Sequence, residues 1–514
     1  QMWLIALLAA VGAAAALPRH VRNANWAALP GDVQEDNLEL IFVNALWRHG
    51  DRSGEHPVPG GDQFTEDDWT LGGGGYGELT PLGMKMHFEL GRKLRDRYMN
   101  ETEFLSTAYN AREIYIRSTD YNRTLISAYA NVQGMFSGNG ESGQNYPDDV
   151  DEWPTGYVPI PVHTVNKDSD FVGHPDSKCD RQDQLYEMVR QSPEYQKYQN
   201  DPQVSQILKY LADQTNTEVN IDNVYDIQDP IFCEGAHIDT LNQTGANIAD
   251  FYPWFYAGDV PSWVDWIIDQ DEDFTNGIGN AGGVNGIDMS IEIPKIRAGE
   301  TLKTVAGNVN GVLACIDDKG KRIKQNADTD ACRHFYEKLK YYAISAHDTT
   351  LDAFLTILGV KKYTIPEGYP NYSAAILVEV YQDNTTYEKY FKVLYHAGDV
   401  EGNPGAPFVK PITAFVRGCD FKNNYCPIAV LNDLVTKYAY DGDMATLCAT
   451  PPNGVPPTTT VKPVDGASTT TSTTSTTTKS PTTTTTPQNP TTTSSVPAIS
   501  FLFAFVVMLT SALL

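Results

Sequence analysis

The chain has 514 residues, 41% of them hydrophobic, and a formal net charge of −27 at pH 7. That length supports a sizeable core, and the acidic balance argues against a nucleic-acid or anionic-membrane partner, whose phosphates it would repel. Seven cysteines with no C-x-x-C unit point to the disulfides of a secreted chain rather than to metal ligation.

Residues 2–16 form an apolar stretch ending in Ala14-Ala15-Ala16, the pattern of a secretory signal with maturation near Leu17. The apolar run Leu38 to Trp47 reads as a strand, and Arg48-His49-Gly50-Asp51-Arg52-Ser53 leaves its end as a loop. A neutral imidazole can attack phosphorus while two guanidinium forks hold the non-bridging oxygens, and Gly50 lets the backbone turn tightly beside the anion. A surface cluster containing Arg-His-Gly by chance would read the same way, so the decision falls to more distant segments.

Glu113 to Asp120 is a strand-like run rich in β-branched and aromatic residues, and Tyr121 to Phe136 has helical spacing, which puts Arg123 in the first helical turn. In the middle of the chain, Lys178 to Ala212 looks helical, and Leu241 to Asp273 carries Trp254, Trp263 and Trp266 in an amphipathic pattern. Buried core is the expected fate of those rings, and a substrate mouth is the alternative. The run Gly277 to Gly283 follows no strand and lacks a lysine and serine pair, so it reads as a flexible turn and not as a phosphate loop. Lys340 to Ser345 is another short strand, after which Ala346-His347-Asp348-Thr349-Thr350 opens a helix with Leu351, Phe354, Leu355 and Leu358 on one face. Three strand-to-helix junctions thus present polar residues at strand C-terminal ends. Open α/β sheets bind ligands at that edge, and helix N-termini there favour anions.

Sequons at Asn100, Asn122, Asn242, Asn371 and Asn384 offer N-glycosylation sites, although Asn122 adjoins Arg123 and is expected to stay unmodified. Pro451 to Ser495 is dominated by threonine, serine and proline and reads as an O-glycosylated stalk. Val496 to Leu514 is apolar and fits either a glycosylphosphatidylinositol signal or a tail-less type I membrane span, so membrane attachment through this segment is expected with the globular part outside.

The three junctions, with Leu79-Thr80-Pro81-Leu82-Gly83-Met84 and Ile160-Pro161-Val162-His163-Thr164-Val165, resemble the histidine acid phosphatases of prostatic and lysosomal type over about Leu38 to Cys448. The resemblance implies an α/β fold, a mixed central sheet flanked by helices on both faces as in phosphoglycerate mutases, with a smaller, mostly helical inserted domain. Residues 17–140 and 300–450 would form the catalytic domain and 141–299 the insertion, two lobes being expected at this length. It further implies an acid phosphatase acting on small phosphate monoesters through a phosphohistidine, with no cofactor and no metal. His49 would be the nucleophile, Asp348 the proton donor, and Arg48, Arg52, Arg123 and His347 the phosphate-binding set, with Arg117 a structural neighbour. The chemistry supports that division, because expelling an alkoxide needs a proton donor and Asp348 alone in the set supplies one without being the nucleophile. Clustered cations should also keep His49 uncharged.

The family's pairs match Cys179 with Cys448 and Cys419 with Cys426, while Cys315 with Cys332 is inferred as a third bridge across a polar loop. Cys233 is left unpaired, because the family's partner would fall within Tyr369 to Ile376, which contains no cysteine. Gly54 stands where the family has proline, so a floppier loop and a lower activity are expected. The family includes dimers, which leaves a homodimer open, and no stretch identifies an interface. Two alternatives stand beside the main reading: a narrow lysophosphatidate or inositol phosphate phosphatase, and a catalytically weak surface glycoprotein that binds through the same fold.

Overall fold

Strand β1 (Leu38–Arg48) alternates its side chains between two apolar layers, and this period of two sets the architecture. The description comes from a computed structural model and covers residues 35–242, 245–280, 283–323, 332, 334–398, 407–420 and 423–452. The expected signal segment, almost all of the stalk, the C-terminal apolar segment, the Asn242 side chain, and Ala281 with Gly282 of the glycine-rich turn lie outside those residues.

The other strands are β2 (Ile114–Ser118), β3 (Val162–His163), β4 (Tyr341–Ala346), β5 (Ala375–Asp383), β6 (Lys389–His396), β7 (Lys410–Pro411) and β8 (Cys426–Pro427). They form one mixed sheet in the order β3-β2-β4-β1-β5-β6-β7, with β8 pairing β6. The first four run parallel, and β5, β6 and β7 each pair antiparallel with the strand before them. β1 and β4 are therefore central and buried on both faces, which is why both read as continuous apolar runs.

Helices α1 (Pro81–Arg95) and α2 (Asn122–Phe136) cover one face, where Val43, Ala45 and Trp47 meet Leu90, Leu94, Ala128 and Val132. Thr80 caps α1 by accepting from the Gly83 amide at 3.2 Å, and Pro81 occupies its first turn. The two helices touch backbone to backbone. A Cβ on Gly91 would lie 2.0 Å from the Asn131 carbonyl oxygen, and one on Gly134 2.1 Å from that of Phe88.

The middle of the chain supplies helices α3 (Asp180–Arg190), α4 (Pro193–Gln199), α5 (Pro202–Thr215), α6 (Tyr225–Asn242), α7 (Ile248–Phe251), α8 (Val260–Thr275) and α9 (Met289–Arg297). Lys178 to Ala212 is thus three helices, broken where Ser192 and Asp201 each cap a new helix that has proline at its start. This region has its own core around Leu185, Leu211, Ile231, Val264, Ile267 and Ile293. Trp254 is half-buried and packs on this core, whereas Trp263 is half-buried outside it and Trp266 is 38% exposed, short of the buried fate expected; none lines the cavity described below. Val260, Val264, Ile267 and Phe274 form the inward stripe of α8, which leaves Trp263 and Trp266 on its flank.

Helices α10 (Gly299–Leu313), α11 (Asp348–Leu358), α12 (Lys361–Thr364), α13 (Ile428–Tyr438) and α14 (Met444–Cys448) complete the fold. α10, α11 and α13 pack on the second face against Phe42 and Leu46, whereas α14 joins the helical core. The disulfide Cys179–Cys448 ties α14 to the start of α3, and Cys315–Cys332 and Cys419–Cys426 are also formed. Cys233 is buried and unpaired, and its Sγ lies 3.6 Å from the Tyr372 hydroxyl.

Candidate active site

The parallel strands β1, β2 and β4 end side by side, so the residues that follow them share one edge of the sheet. The His49 amide donates to the Ala346 carbonyl at 3.0 Å, and the Thr119 amide to that of Ser345 at 3.0 Å. Above this edge lies a cavity of about 460 Å³ whose lining includes His49, Arg52, Arg123, His347 and Asp348.

His49 Nδ1 lies 2.8 Å from the Gly50 carbonyl oxygen. A carbonyl only accepts, so Nδ1 carries the proton and the Nε2 lone pair is left free. Burial, followed by the charges of Arg123 and Arg48, holds this imidazole well below its usual value of 6.5. His49 therefore stays neutral, and nucleophilic, in acid.

Gly50 serves close approach and not the expected tight turn. Its φ is not positive, and a Cβ there would lie 2.3 Å from the Gly83 carbonyl oxygen on α1. Its amide donates to Ser127 Oγ at 3.1 Å, and the next residue, Asp51, accepts from Thr80 Oγ1 and pairs with His237 Nε2 at 2.6 Å. Leu79 to Met84 thus acts as the seat of the nucleophile loop. The loop is also firmer than the Gly54 substitution led us to expect. Ser53 N–H donates to Glu78 O at 3.1 Å, Gly77 N–H to Gly54 O at 2.8 Å, and Ser53 Oγ–H to Gly75 O at 2.8 Å. A Cβ on Gly54 would stand 3.1 Å from Pro230 Cα, so the loop packs closely on α6 at this position.

Each arginine of the expected set also faces a carboxylate. Arg48 Nη2 pairs with Asp348 Oδ2 at 2.7 Å, its Nη1 donates to Pro370 O at 2.7 Å, and its guanidinium sits 4.2 Å over the Tyr372 ring. Arg48 does not itself line the cavity and reaches it through Asp348. Arg52, 2% exposed, makes a two-pronged contact with Asp229 at 2.9 Å on each arm and a bond to the Tyr225 hydroxyl at 3.2 Å. Arg123 in the first turn of α2 pairs with Glu55 at 2.7 Å and lies 4.7 Å over Tyr121. Tyr225 and Asp229 come from α6, some 170 positions beyond the loop, with no local signal to betray them. Glu55 stands three residues after Arg52 and was readable as an acid placed against the grip.

His347 meets His49 edge to face at 5.7 Å between ring centroids, and its Nε2 lies 3.0 Å from Thr119 Oγ1. A bound phosphate would have to share that nitrogen with Thr119. Burial, then the Arg123 charge, keeps this ring neutral as well. Asp348 begins α11, where its Oδ1 accepts from the Thr349 amide at 2.8 Å and its side chain is 19% exposed to the cavity. His174, which had no assigned role, lines the cavity and stacks edge to face on His347 at 5.7 Å. Arg117 points elsewhere and pairs with buried Asp170. Of the sequons, Asn100, Asn122, Asn371 and Asn384 are exposed, and Asn122 Nδ2 donates to Glu78 Oε1 at 2.9 Å.

A mixed sheet with a histidine, arginines and an aspartate at the C-terminal edge of its parallel strands defines a hydrolase of phosphoric monoesters. Residues 39–396 match the histidine phosphatase superfamily (branch 2), and the chain belongs to that superfamily. It is 32% identical to the lysosomal acid phosphatase of Homo sapiens over 387 residues, 74% of this chain and 77% of that protein. It is 31% identical to the lysosomal acid phosphatase of Bos taurus over 409 residues, 78% of this chain and 82% of that one. Among solved structures, the apo form of Hafnia alvei phytase shares the fold with a TM-score of 0.52 at 15% identity, covering 82% of this chain and all of that one.

Proposed function

We propose that this protein is an acid phosphatase that hydrolyses phosphate monoesters through a phosphohistidine at His49. The observation that carries the proposal is the state of His49: Nδ1–H is fixed on Gly50 O, Nε2 is free, and burial, followed by the charges of Arg123 and Arg48, keeps the ring neutral. Nε2 attacks phosphorus, the bond to the leaving oxygen breaks, and Asp348 gives that oxygen its proton. Water then attacks the phosphohistidine with Asp348 as base, which releases inorganic phosphate and restores the imidazole. Arg52 and Arg123 hold the non-bridging oxygens as charge redistributes. Arg48, held on Pro370 O, fixes the Asp348 carboxyl at the cavity edge through their 2.7 Å pair.

Glu55 also lines the cavity and, once parted from Arg123, disfavours a substrate with many phosphoryl groups, which weighs against inositol polyphosphates, whereas Asp176 and Glu272 in the same lining are paired with Arg297. Three disulfides, and relatives named for the lysosome, support a lumenal or extracellular compartment. The signal, stalk and apolar C-terminal segments of the sequence fit secretion and membrane attachment there; the inserted lobe is α3 to α9 with α14, narrower than 141–299 at its start because β3 belongs to the central sheet.

Phosphate release from an aryl and an alkyl phosphate by wild type, His49→Ala and Asp348→Ala tests the mechanism. Loss of at least about 10³-fold is expected for the histidine variant. The aspartate variant is expected to lose about 10²–10⁴-fold, more for the alkyl ester, whose leaving group needs the proton more. Turnover that survives in a folded His49→Ala protein would refute the phosphohistidine.

A further inference from the structure

Among the carboxylates that face the arginines, Glu55 and Asp229 differ in kind. Asp229 is 5% exposed and grips Arg52 from behind, in α6. Glu55 is 39% exposed, lines the cavity, and places one oxygen, Oε1, 2.7 Å from Arg123 Nη2 and 3.6 Å from Arg52 Nη2. One carboxylate oxygen between two guanidinium groups is the arrangement that a non-bridging phosphate oxygen needs in the same place. The Glu55 amide donates to Asp229 Oδ2 at 3.3 Å, so its backbone is anchored while its side chain is free to turn toward solvent. Glu55 is the solvent-facing member of these pairs, 39% exposed against 13% for Arg123 and 2% for Arg52, so solvent screens the carboxylate while the guanidinium groups stay in place.

We propose that Glu55 is an internal competitor for phosphate, which holds the N–H groups of Arg52 and Arg123 in the free enzyme and swings out when a phosphoryl group binds. This rests on the reading of Arg52 and Arg123 as the phosphate grip. Two consequences follow from the charge. The carboxylate returns to the arginines as product leaves, so inorganic phosphate binds more weakly than the arginines alone would allow. Displaced, Glu55 stays in the cavity lining, where its unpaired charge repels a second phosphoryl group on the substrate. Glu55 is thereby a specificity-determining residue for substrates that carry one phosphoryl group.

The test compares full-length wild type, Glu55→Gln, Glu55→Ala and Arg123→Met at one pH. It measures the inhibition constant of inorganic phosphate, KM for phenyl phosphate, and relative kcat/KM for fructose 1,6-bisphosphate, with an unfolding midpoint for each protein. Both Glu55 variants are expected to lower the phosphate constant and KM by about two- to fivefold, the range that an exposed ion pair supports. They should also raise relative turnover of the bisphosphate, while Arg123→Met raises the phosphate constant. Weakened phosphate binding in Arg123→Met, with unchanged or weaker binding in the Glu55 variants, would overturn the role of Glu55 and leave the grip standing. An unchanged constant in Arg123→Met would remove the grip, and the proposal with it.

Discussion

His49 works at the residue scale because its two nitrogens are treated differently. Nδ1 is tied to a carbonyl of its own loop, and the burial that leaves Nε2 free also raises the energy of the imidazolium. After burial, Arg123 is the largest contributor to that depression. Arg123→Met therefore has two expected effects. It removes a donor to the transferring phosphoryl group, which should lower kcat/KM by about 10²–10³-fold. It also lets the His49 value rise toward 6.5, and because the neutral ring is the active form, the acid limb of kcat/KM against pH should move upward. A profile that drops in height without moving would mean that Arg123 binds phosphate but does not tune the nucleophile.

At the scale of elements, the site is aimed by helices whose backbones touch. α2 carries Arg123, and its seat on α1 depends on Gly91 and Gly134, where any Cβ would fall about 2 Å from a carbonyl oxygen of the other helix. Gly91→Ala must force the helices apart. The expected result is a loss of about 1–3 kcal/mol or more in urea unfolding, together with weaker phosphate binding as Arg123 shifts. Unchanged stability would show that the crossing is plastic. The same elements show what was legible beforehand. β1, β4 and the start of α11 could be read because each is local: an apolar run, then a polar junction, then a helical stripe. Asp229 and Tyr225 could not, because they meet Arg52 only after the chain has folded α6 over the loop. Gly50 and Gly54 were misjudged for a related reason. A glycine's local freedom is visible in sequence, whereas the neighbour it must admit, Gly83 or Pro230, is fixed by tertiary packing.

For the whole molecule, the dependence of stability on pH is shaped by groups that are buried uncharged. The neutral His49 and His347 have values below 6.5, so the stability they allow is present above about 6.5 and is lost as pH falls through their folded values. Glu234 acts in the opposite sense. It sits on α6 at 1% exposure, and burial, with Asp62 nearby, pushes its carboxyl up from 4.5 to about 9. The folded chain keeps that proton while the unfolded chain releases it, so the contribution is fully present below about 4.5 and is lost as pH rises toward 9. The surface adds to this trend, because a net charge of −27 at pH 7 repels itself less as carboxylates take up protons. Of these groups the histidines favour the fold above about 6.5 and Glu234 favours it at lower pH, so Glu234 governs the loss on the alkaline side. Glu234→Gln keeps the shape and removes the titration. Its melting temperature should exceed that of wild type at pH 8, by about 2–4 °C for each kcal/mol relieved, and the two should converge near pH 4.5. A difference that stays constant across that range would show that Glu234 does not set the alkaline slope.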